Sequence, residues 1–177
     1  VDCNVEFSFD SFVEVVDALG GVEIDLTGEE AAFLNGQPQL RGNLTEGSNL
    51  LNGETALAYA RTRHSSATDS DFSRTGRQRN LISAVFQKCR GMGALELGKL
   101  AEQLLPLIRT DMTKGQMVSI AVKLLPVLRS LELKSKQIPA PGTYENARVE
   151  IGGVGAAVLI PEMEENRRIL TEICEGN

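Results

Sequence analysis

The chain opens with Val1–Leu26, VDCNVEFSFDSFVEVVDALGGVEIDL, and the spacing of its apolar residues changes twice within this stretch. Val1–Phe7 alternates apolar and polar residues, which predicts a strand. Apolar residues then recur at helical spacing as far as Leu19, and Gly20-Gly21 supplies a helix stop. Val22–Leu26 alternates again and predicts a second strand. This strand–helix–strand order indicates an α/β sheet.

Most of the remaining chain reads as helices. A short helix near Glu29–Leu34 precedes a predicted loop that runs to residue 50. The later predicted elements are a helix capped by Asn52 that delivers Arg61 and Arg63, a helix from Phe72 to about Cys89 with Ile82, Val85, Phe86 and Cys89 as its buried stripe, helices at Ala94–Ile108 and Thr113–Leu131, strands at Ala147–Ile151 and Ala157–Ile160, and a helix at Glu162–Cys174.

Prolines, glycines and leucine-rich stretches refine these predicted elements. Pro106 and Pro126 are expected to kink or end their helices, and Gly152-Gly153 to form a turn. The dense apolar faces of the two helices between residues 94 and 131 are interpreted as core. Pro161 suits the first turn of the last helix. No repeat, linker or low-complexity tract divides the chain, so residues 1–177 are interpreted as one domain.

Composition is ordinary for a soluble globular protein, with 42% apolar and 24% charged residues in 177. No apolar run approaches the roughly 20 residues that span a bilayer. The chain begins without an initiator methionine and directly in a strand pattern. We therefore interpret it as a piece of a longer polypeptide.

Cysteine and histidine are too scarce for several common kinds of site. Three dispersed cysteines argue against a zinc site or a disulfide scaffold, and the single histidine, His64, argues against a Ser-His-Asp hydrolase. Cys89 and Cys174 each lie near the end of a predicted helix. They are interpreted as free buried thiols, and a bridge in an oxidising compartment is the alternative.

The strongest chemical signal lies between Arg61 and Arg79, where five arginines accompany only Asp69 and Asp71. The local charge is +3 in a chain whose net charge is −6. Guanidinium is well shaped for bidentate phosphate recognition, whereas attraction to nucleic acid favours a basic surface overall. The segment therefore predicts an anion pocket. Asp71 can cap the next helix, order the arginines by a salt bridge or act as a base.

The spacing within this segment supports a common site. Arg74, Arg77 and Gln78 project from neighbouring positions in the first two turns of the predicted helix. Free backbone N–H groups and the helix dipole attract anions at this end, so arginines here cost stability unless an anion or an acid neutralises them. Arg61 and Arg63 arrive from the preceding helix. The alternative is a solvated basic face with surface salt bridges.

Three segments in matching order and spacing resemble the LytR-CpsA-Psr family of Gram-positive envelope enzymes. They are FVEVVDALGGV at 12–22, LNGETALAYARTR at 51–63 and DFSRTGRQ at 71–78, and the ending around PAPGTY at 139–144 agrees as well. The resemblance implies an α/β fold in which helices sandwich a mixed sheet (α/β/α). It also implies a membrane-anchored protein whose catalytic domain lies outside the cell, at the cell wall.

The family transfers a glycopolymer, such as wall teichoic acid or capsular polysaccharide, from a polyprenyl-pyrophosphate carrier onto peptidoglycan. By resemblance, Asp71 is the acid of the motif, and Asp71, Arg74 and Arg77 are the implied catalytic residues. Ser73 stands where the family often has glycine. The positions matching those that hold the pyrophosphate are Arg61, Arg63, Arg74, Arg77 and Gln78.

The resemblance covers the C-terminal part of the family's domain. The N-terminal part, which carries an Arg-Asp motif and some of the apolar groove for the polyprenyl chain, has no counterpart in these residues. Mg²⁺ is therefore an implied cofactor whose ligands are expected mainly in that part, and no metal ligand is assigned here. Two functions stay open: a phosphotransferase, or a non-catalytic module that binds polyprenyl phosphate or an anionic glycopolymer. Nucleic acid is not an expected partner.

Overall fold

Helices and short antiparallel strand pairs alternate along the chain. The computed structural model describes residues 4–6, 8–40, 42–62 and 71–175, and at Asp71 the backbone alone. In chain order the elements are β1 (Val5–Glu6), α1 (Phe9–Ala18), β2 (Val22–Leu26), α2 (Gly28–Asn35), β3 (Gly47–Leu51), α3 (Gly53–Arg61), α4 (Asp71–Gly91), α5 (Ala94–Leu104), a 3₁₀ turn (Leu105–Leu107), β4 (Arg109–Thr110), α6 (Lys114–Leu124), β5 (Tyr144–Ile151), β6 (Val154–Pro161) and α7 (Met163–Glu175).

The α/β class is confirmed, and so is the strand–helix–strand order of the opening. Gly20 and Gly21 end α1 with positive φ angles of 73° and 88°, a conformation that glycine adopts without steric cost. Among the described strands, however, β1 pairs antiparallel with β4, and β2 pairs antiparallel with β3. The two opening strands therefore belong to different strand pairs.

Strand β3 lies where the sequence predicts a loop, and that prediction is wrong for Gly47–Leu51. Its residues are mostly polar, so it lacks the apolar alternation that identifies a half-buried strand. Its partner specifies it instead, in a register that joins Val22 to Leu51 and Leu26 to Gly47. The strand thus forms because β2 offers an edge, which a local pattern does not show.

The chain divides into two compact units, Val1–Leu131 and Glu132–Asn177. In the first unit, helices α1, α2, α3 and α4 and the strand pair β2–β3 share a buried core. Its buried members are Val16, Val22, Ile24, Leu26, Ala31, Leu34, Leu51, Ala56, Tyr59, Ala60 and Leu81. The interpretation of residues 1–177 as a single domain stays a prediction.

The second unit contains a hairpin and a helix. Strands β5 and β6 pair antiparallel over eight residues each, and the Gly152-Gly153 turn between them has φ angles of 60° and 81°. Positive φ at both central residues is the geometry of a tight hairpin turn, so the predicted turn is confirmed. Pro161 ends β6 and does not begin the helix. The buried Asn166 accepts from the Ala140 backbone N–H at 2.9 Å and donates to the Glu162 carbonyl at 2.9 Å.

The leucine-rich helices end near their prolines, as predicted. The 3₁₀ turn after α5 contains Pro106, and α6 ends at Leu124. The interpretation of their apolar faces as core is wrong at several positions. Leu100 is buried, but the structure exposes Leu95, Leu105, Val118, Ile120, Val122, Leu124, Leu125, Val127 and Leu131.

The predicted buried stripe of α4 is wrong at Ile82, whereas Val85, Phe86 and Cys89 are half-buried. Leu81 is 4% exposed and belongs to the core, whereas Ile82 is 60% exposed. Leu81 and Ile82 both have helical spacing to Val85, which packs against the core together with Ala84. The contacts of α4 with α3 and β2 select the phase that contains Leu81.

The two neighbouring residues provide a matched test. We expect Leu81→Ala to lower the free energy of unfolding by about 3 kcal/mol, because a buried leucine is replaced by a cavity. Ile82→Ala is expected to cost about 0.5 kcal/mol or less, since its side chain is mostly solvated. Urea denaturation of both variants measures this difference. Equal losses would mean that α4 does not bury the face that contains Leu81.

The prediction that Cys89 and Cys174 are free buried thiols is confirmed in part. Cys89 and Cys174 are both free, but Cys89 is half-buried and Cys174 is exposed. Burial raises the pKa of the Cys89 thiol above its usual value. Among the described residues, no helix is both long enough and apolar enough to cross a membrane.

Candidate anion-binding site

The arginine-rich segment spans the end of α3 and the beginning of α4. Asn52 caps α3 by accepting from the Thr55 N–H at 2.9 Å, as predicted, and the helix ends at Arg61. The next residue, Thr62, is buried, and its hydroxyl donates to the Ala58 carbonyl at 2.8 Å. The end of α3 is thus fixed by its own hydrogen bonds before the chain reaches the second group of arginines.

Arg61 lies on the exposed side of this junction. Its guanidinium carbon is 4.8 Å from the centroid of the Phe9 ring at the start of α1. Stacking of this kind engages the face of the guanidinium, whereas its N–H groups donate in the plane. The contact therefore orients a planar donor edge, which is the part of the side chain that binds phosphate or carboxylate oxygens.

A cavity of about 860 Å³ adjoins Arg61 and Thr62. Its walls come from α1, α3 and the end of α2 with the loop after it. Apolar and polar side chains share these walls, which carry one arginine, Arg61, and three carboxylates. The other lining residues are Asp10, Val13, Glu14, Phe33, Gln37, Gln39, Leu40, Glu54, Leu57 and Ala58.

Arg77 is a buried arginine of this segment. It is 6% exposed, and its Nε donates to Glu30 Oε1 at 2.8 Å. Its Nη1 donates to the Thr62 carbonyl oxygen at 2.9 Å. Because that carbonyl lies at the C-terminal end of α3, the cation also faces the negative end of the helix dipole.

The group that neutralises Arg77 near the start of α4 is an acid of the protein itself. The sequence requires an anion or an acid to neutralise arginines at the start of α4. Arg77 forms a buried ion pair with Glu30. It is therefore not part of a solvated basic face. The role of Arg77 in binding pyrophosphate stays a prediction, but its observed contacts hold together α2, α3 and α4.

The other predicted site residues lie around this ion pair or outside the described part. Arg74 is half-buried one turn before Arg77, and Gln78 is exposed immediately after it. Residues 63–70, which include Arg63, lie outside the described residues, as does the side chain of Asp71. The structure therefore brings the end of α3, with Arg61, against the turn of α4 that carries Arg77.

Two contributors to this junction escaped the sequence prediction. The Thr27-x-x-Glu30 spacing is a capping-box pattern, which the sequence alone could have predicted. The contact of Glu30 with Arg77 joins residues that are 47 apart along the chain, so no local pattern indicates it. Tyr59 is buried, and its hydroxyl accepts from Asn80 Nδ2 at 3.4 Å. Burial raises the pKa of Tyr59 above its usual value, because it disfavours the charged phenolate.

The described side chains do not themselves suggest a magnesium site. No group of three or more His, Cys, Asp or Glu side chains that could hold a metal occurs within the part of the chain that the structure describes. Mg²⁺ usually takes oxygen ligands, including one or two carboxylates and substrate phosphates. The ion therefore remains a prediction from the resemblance alone.

The chain is similar to known proteins over most of its length. A teichoic acid transferase named TagU from Halalkalibacterium halodurans is 32% identical, and the match covers 98% of this chain and 52% of the relative. TagT from Bacillus subtilis, named as the same type of transferase, is 28% identical, and the match covers 75% of this chain and 39% of TagT. The chain thus spans about half or less of these curated relatives.

A solved structure of TagT bound to LIIa-WTA resembles the chain with a TM-score of 0.68 and 26% identity. The match covers 97% of this chain and 60% of that structure. The model of the LytR_cpsA_psr family matches residues 1–164, which include all three segments that carry the resemblance. The chain belongs to the LytR-CpsA-Psr family.

Proposed function

We propose that the chain supplies the phosphate-binding part of a cell-envelope phosphotransferase. The enzyme moves a glycopolymer from a polyprenyl-pyrophosphate carrier onto peptidoglycan. The observation that carries the proposal is the Arg77–Thr62 hydrogen bond, which joins the arginine-bearing end of α3 to the arginine-bearing turns of α4. Family membership supports it, and so do relatives named as polyisoprenyl-teichoic acid–peptidoglycan teichoic acid transferases.

The chemistry follows from the charge that develops during transfer. A hydroxyl oxygen of peptidoglycan attacks the phosphorus that bears the polymer. A new phosphorus–oxygen bond forms, the bond to the bridging oxygen of the carrier breaks, and polyprenyl phosphate leaves with the electron pair. The hydroxyl proton passes to a base, for which Asp71 is the candidate in this chain. Negative charge grows on the leaving phosphate, and guanidinium groups stabilise it where it grows.

The arginines have distinct places in this proposal. Arg61, Arg63 and Arg74 donate to the phosphate oxygens, and the Gln78 amide completes the set. The stacking of Arg61 on Phe9 supports its part, because a held guanidinium loses less freedom when it binds an anion.

The cellular setting is part of the same proposal. The carried polymer is wall teichoic acid or a capsular polysaccharide, and transfer takes place at the cell wall, outside the cytoplasmic membrane. A membrane anchor holds the enzyme near its lipid-linked substrate, and Mg²⁺ is its metal cofactor. The relatives' names support a cell-wall polymer as the cargo.

The direct test uses the complete protein with Mg²⁺, a polyprenyl-pyrophosphate-linked teichoic acid or capsular polymer, and insoluble peptidoglycan. We expect polymer to appear in the peptidoglycan fraction in equal amount to the polyprenyl phosphate released. The competing function, a module that binds anionic lipid or polymer, predicts retention that pyrophosphate competes away but no release of polyprenyl phosphate. Binding without release for both polymers would replace the transferase by that module.

A further inference from the structure

One carboxylate in the first unit makes two contacts at once. Glu30 Oε2 accepts from the Thr27 backbone N–H at 3.1 Å and thereby closes the capping box at the start of α2. Glu30 Oε1 accepts from Arg77 Nε at 2.8 Å. The first contact fixes the carboxylate to the backbone of α2, so the second holds α4 at a defined position relative to α2.

We propose that Glu30 is a positioning residue for the phosphate-binding arginines, and that Arg77 transmits its effect. The inference rests on the proposed function of the arginine site. Glu30 holds the Arg77 guanidinium, and the same guanidinium holds the Thr62 carbonyl at the end of α3. A single ion pair thus joins α2, α3 and α4 where the arginines emerge.

Burial makes this contact a strong constraint. The Arg77 side chain is 7% exposed and that of Glu30 is 14% exposed. A buried charge that loses its partner is strongly disfavoured, so the two side chains stay together as long as the unit is folded. Arginine also donates through a rigid planar fork, which fixes direction as well as distance.

Helix geometry carries the constraint to the predicted phosphate ligands. Each residue turns an α-helix by about 100°, so Arg74 lies between Arg77 and Gln78 around the axis of α4. Fixing Arg77 against α2 and α3 therefore sets the rotation of the first turns of α4. The positions of Arg74 and Gln78 are then set at about 60° and about 100° from that of Arg77 around the helix axis.

Arg77 thus differs in role from the neighbouring residues with which the sequence analysis grouped it. Arg77 donates hydrogen bonds from Nε and from one Nη to protein oxygens. Its charge is balanced within the protein by Glu30. It acts through Arg74, Gln78 and Arg61, whose geometry depends on it.

The test compares Glu30→Gln with Glu29→Gln in the complete protein. Glu29 is the neighbouring residue in the same helical turn and is exposed, so its replacement removes the same charge without breaking the ion pair. We expect Glu30→Gln to raise the dissociation constant for inorganic pyrophosphate about tenfold, because small misplacements of binding groups have large effects. Glu29→Gln is expected to change it less than about twofold.

A double-variant cycle separates positioning from a general loss of structure. Arg74→Ala weakens pyrophosphate binding by itself, and we expect Glu30→Gln to add less in that background than in the wild type, because one of the affected ligands is already gone. Full additivity would overturn the positioning role. Circular dichroism verifies that each variant is folded, and if Glu30→Gln does not fold, Arg77→Lys, which keeps the charge but loses the fork, replaces it in the cycle.

The failures of the two proposals are distinguishable. If Arg74→Ala leaves pyrophosphate binding unchanged, the proposed phosphate site itself is wrong. If Arg74→Ala weakens binding but Glu30→Gln behaves like Glu29→Gln, only the positioning role of Glu30 is wrong.

Discussion

Arg74→Ala in the complete protein is expected to lower kcat/KM for polymer transfer by about 100-fold or more. Removing a donor aimed at charge that develops in a transition state typically has an effect of this size. Most of the loss should appear in kcat, since the leaving phosphate gains its charge only as the bond breaks. Steady-state assays of polyprenyl phosphate release measure both constants.

The matched control for this prediction is Arg79→Ala. Arg79 belongs to the same helix, and its replacement by alanine removes the same charge. It lies about 140° from Arg74 around the helix axis and is not among the predicted ligands. We expect it to reduce kcat/KM by about threefold or less, as a change in the general field would. Equal losses in the two variants would indicate diffuse attraction by net charge and would contradict a defined phosphate site.

Gly53→Ala is expected to lower the free energy of unfolding by about 3 kcal/mol or more, because overpacking at this position involves backbone atoms. A Cβ at residue 53 would lie 2.3 Å from the Val13 carbonyl oxygen of α1. The Gly53 N–H also donates to Asp17 Oδ1 at 2.7 Å, which fixes the start of α3 against the end of α1. Neither helix can move away without losing this contact.

Gly115→Ala provides the comparison within a helix of the same unit. Gly115 is the second residue of α6, and a Cβ there meets no described atom within 4 Å. Alanine should raise the free energy of unfolding by about 0.5–1 kcal/mol through its higher helix propensity. Urea denaturation of both variants provides the measurement. A Gly53→Ala protein as stable as the wild type would show that α1 and α3 do not approach as closely as described.

Local signals in the sequence predicted most helices and the final hairpin. Caps and stops are encoded by a few adjacent residues, such as Asn52 at the start of α3 and Gly20-Gly21 after α1. The Gly152-Gly153 turn likewise needs only its own two residues to adopt positive φ. These features were predictable because the interactions that produce them lie within one or two turns of chain.

Features that depend on distant partners were not predictable in this way. Strand β3 has little apolar alternation and exists as the partner of β2. The buried face of α4 includes Leu81 and not Ile82, although both choices have helical spacing. In neither case does the local pattern identify the structure, and pairing or packing with another element decides it.

The candidate site divides along the same line. The sequence by itself determined that guanidinium groups are concentrated at the junction of two helices, because the number and spacing of arginines are properties of the chain alone. Only the tertiary structure decided that Arg77 pairs with Glu30 and caps the end of α3. A buried charge must find its counterion within hydrogen-bonding distance, and that counterion lies 47 residues away on another helix.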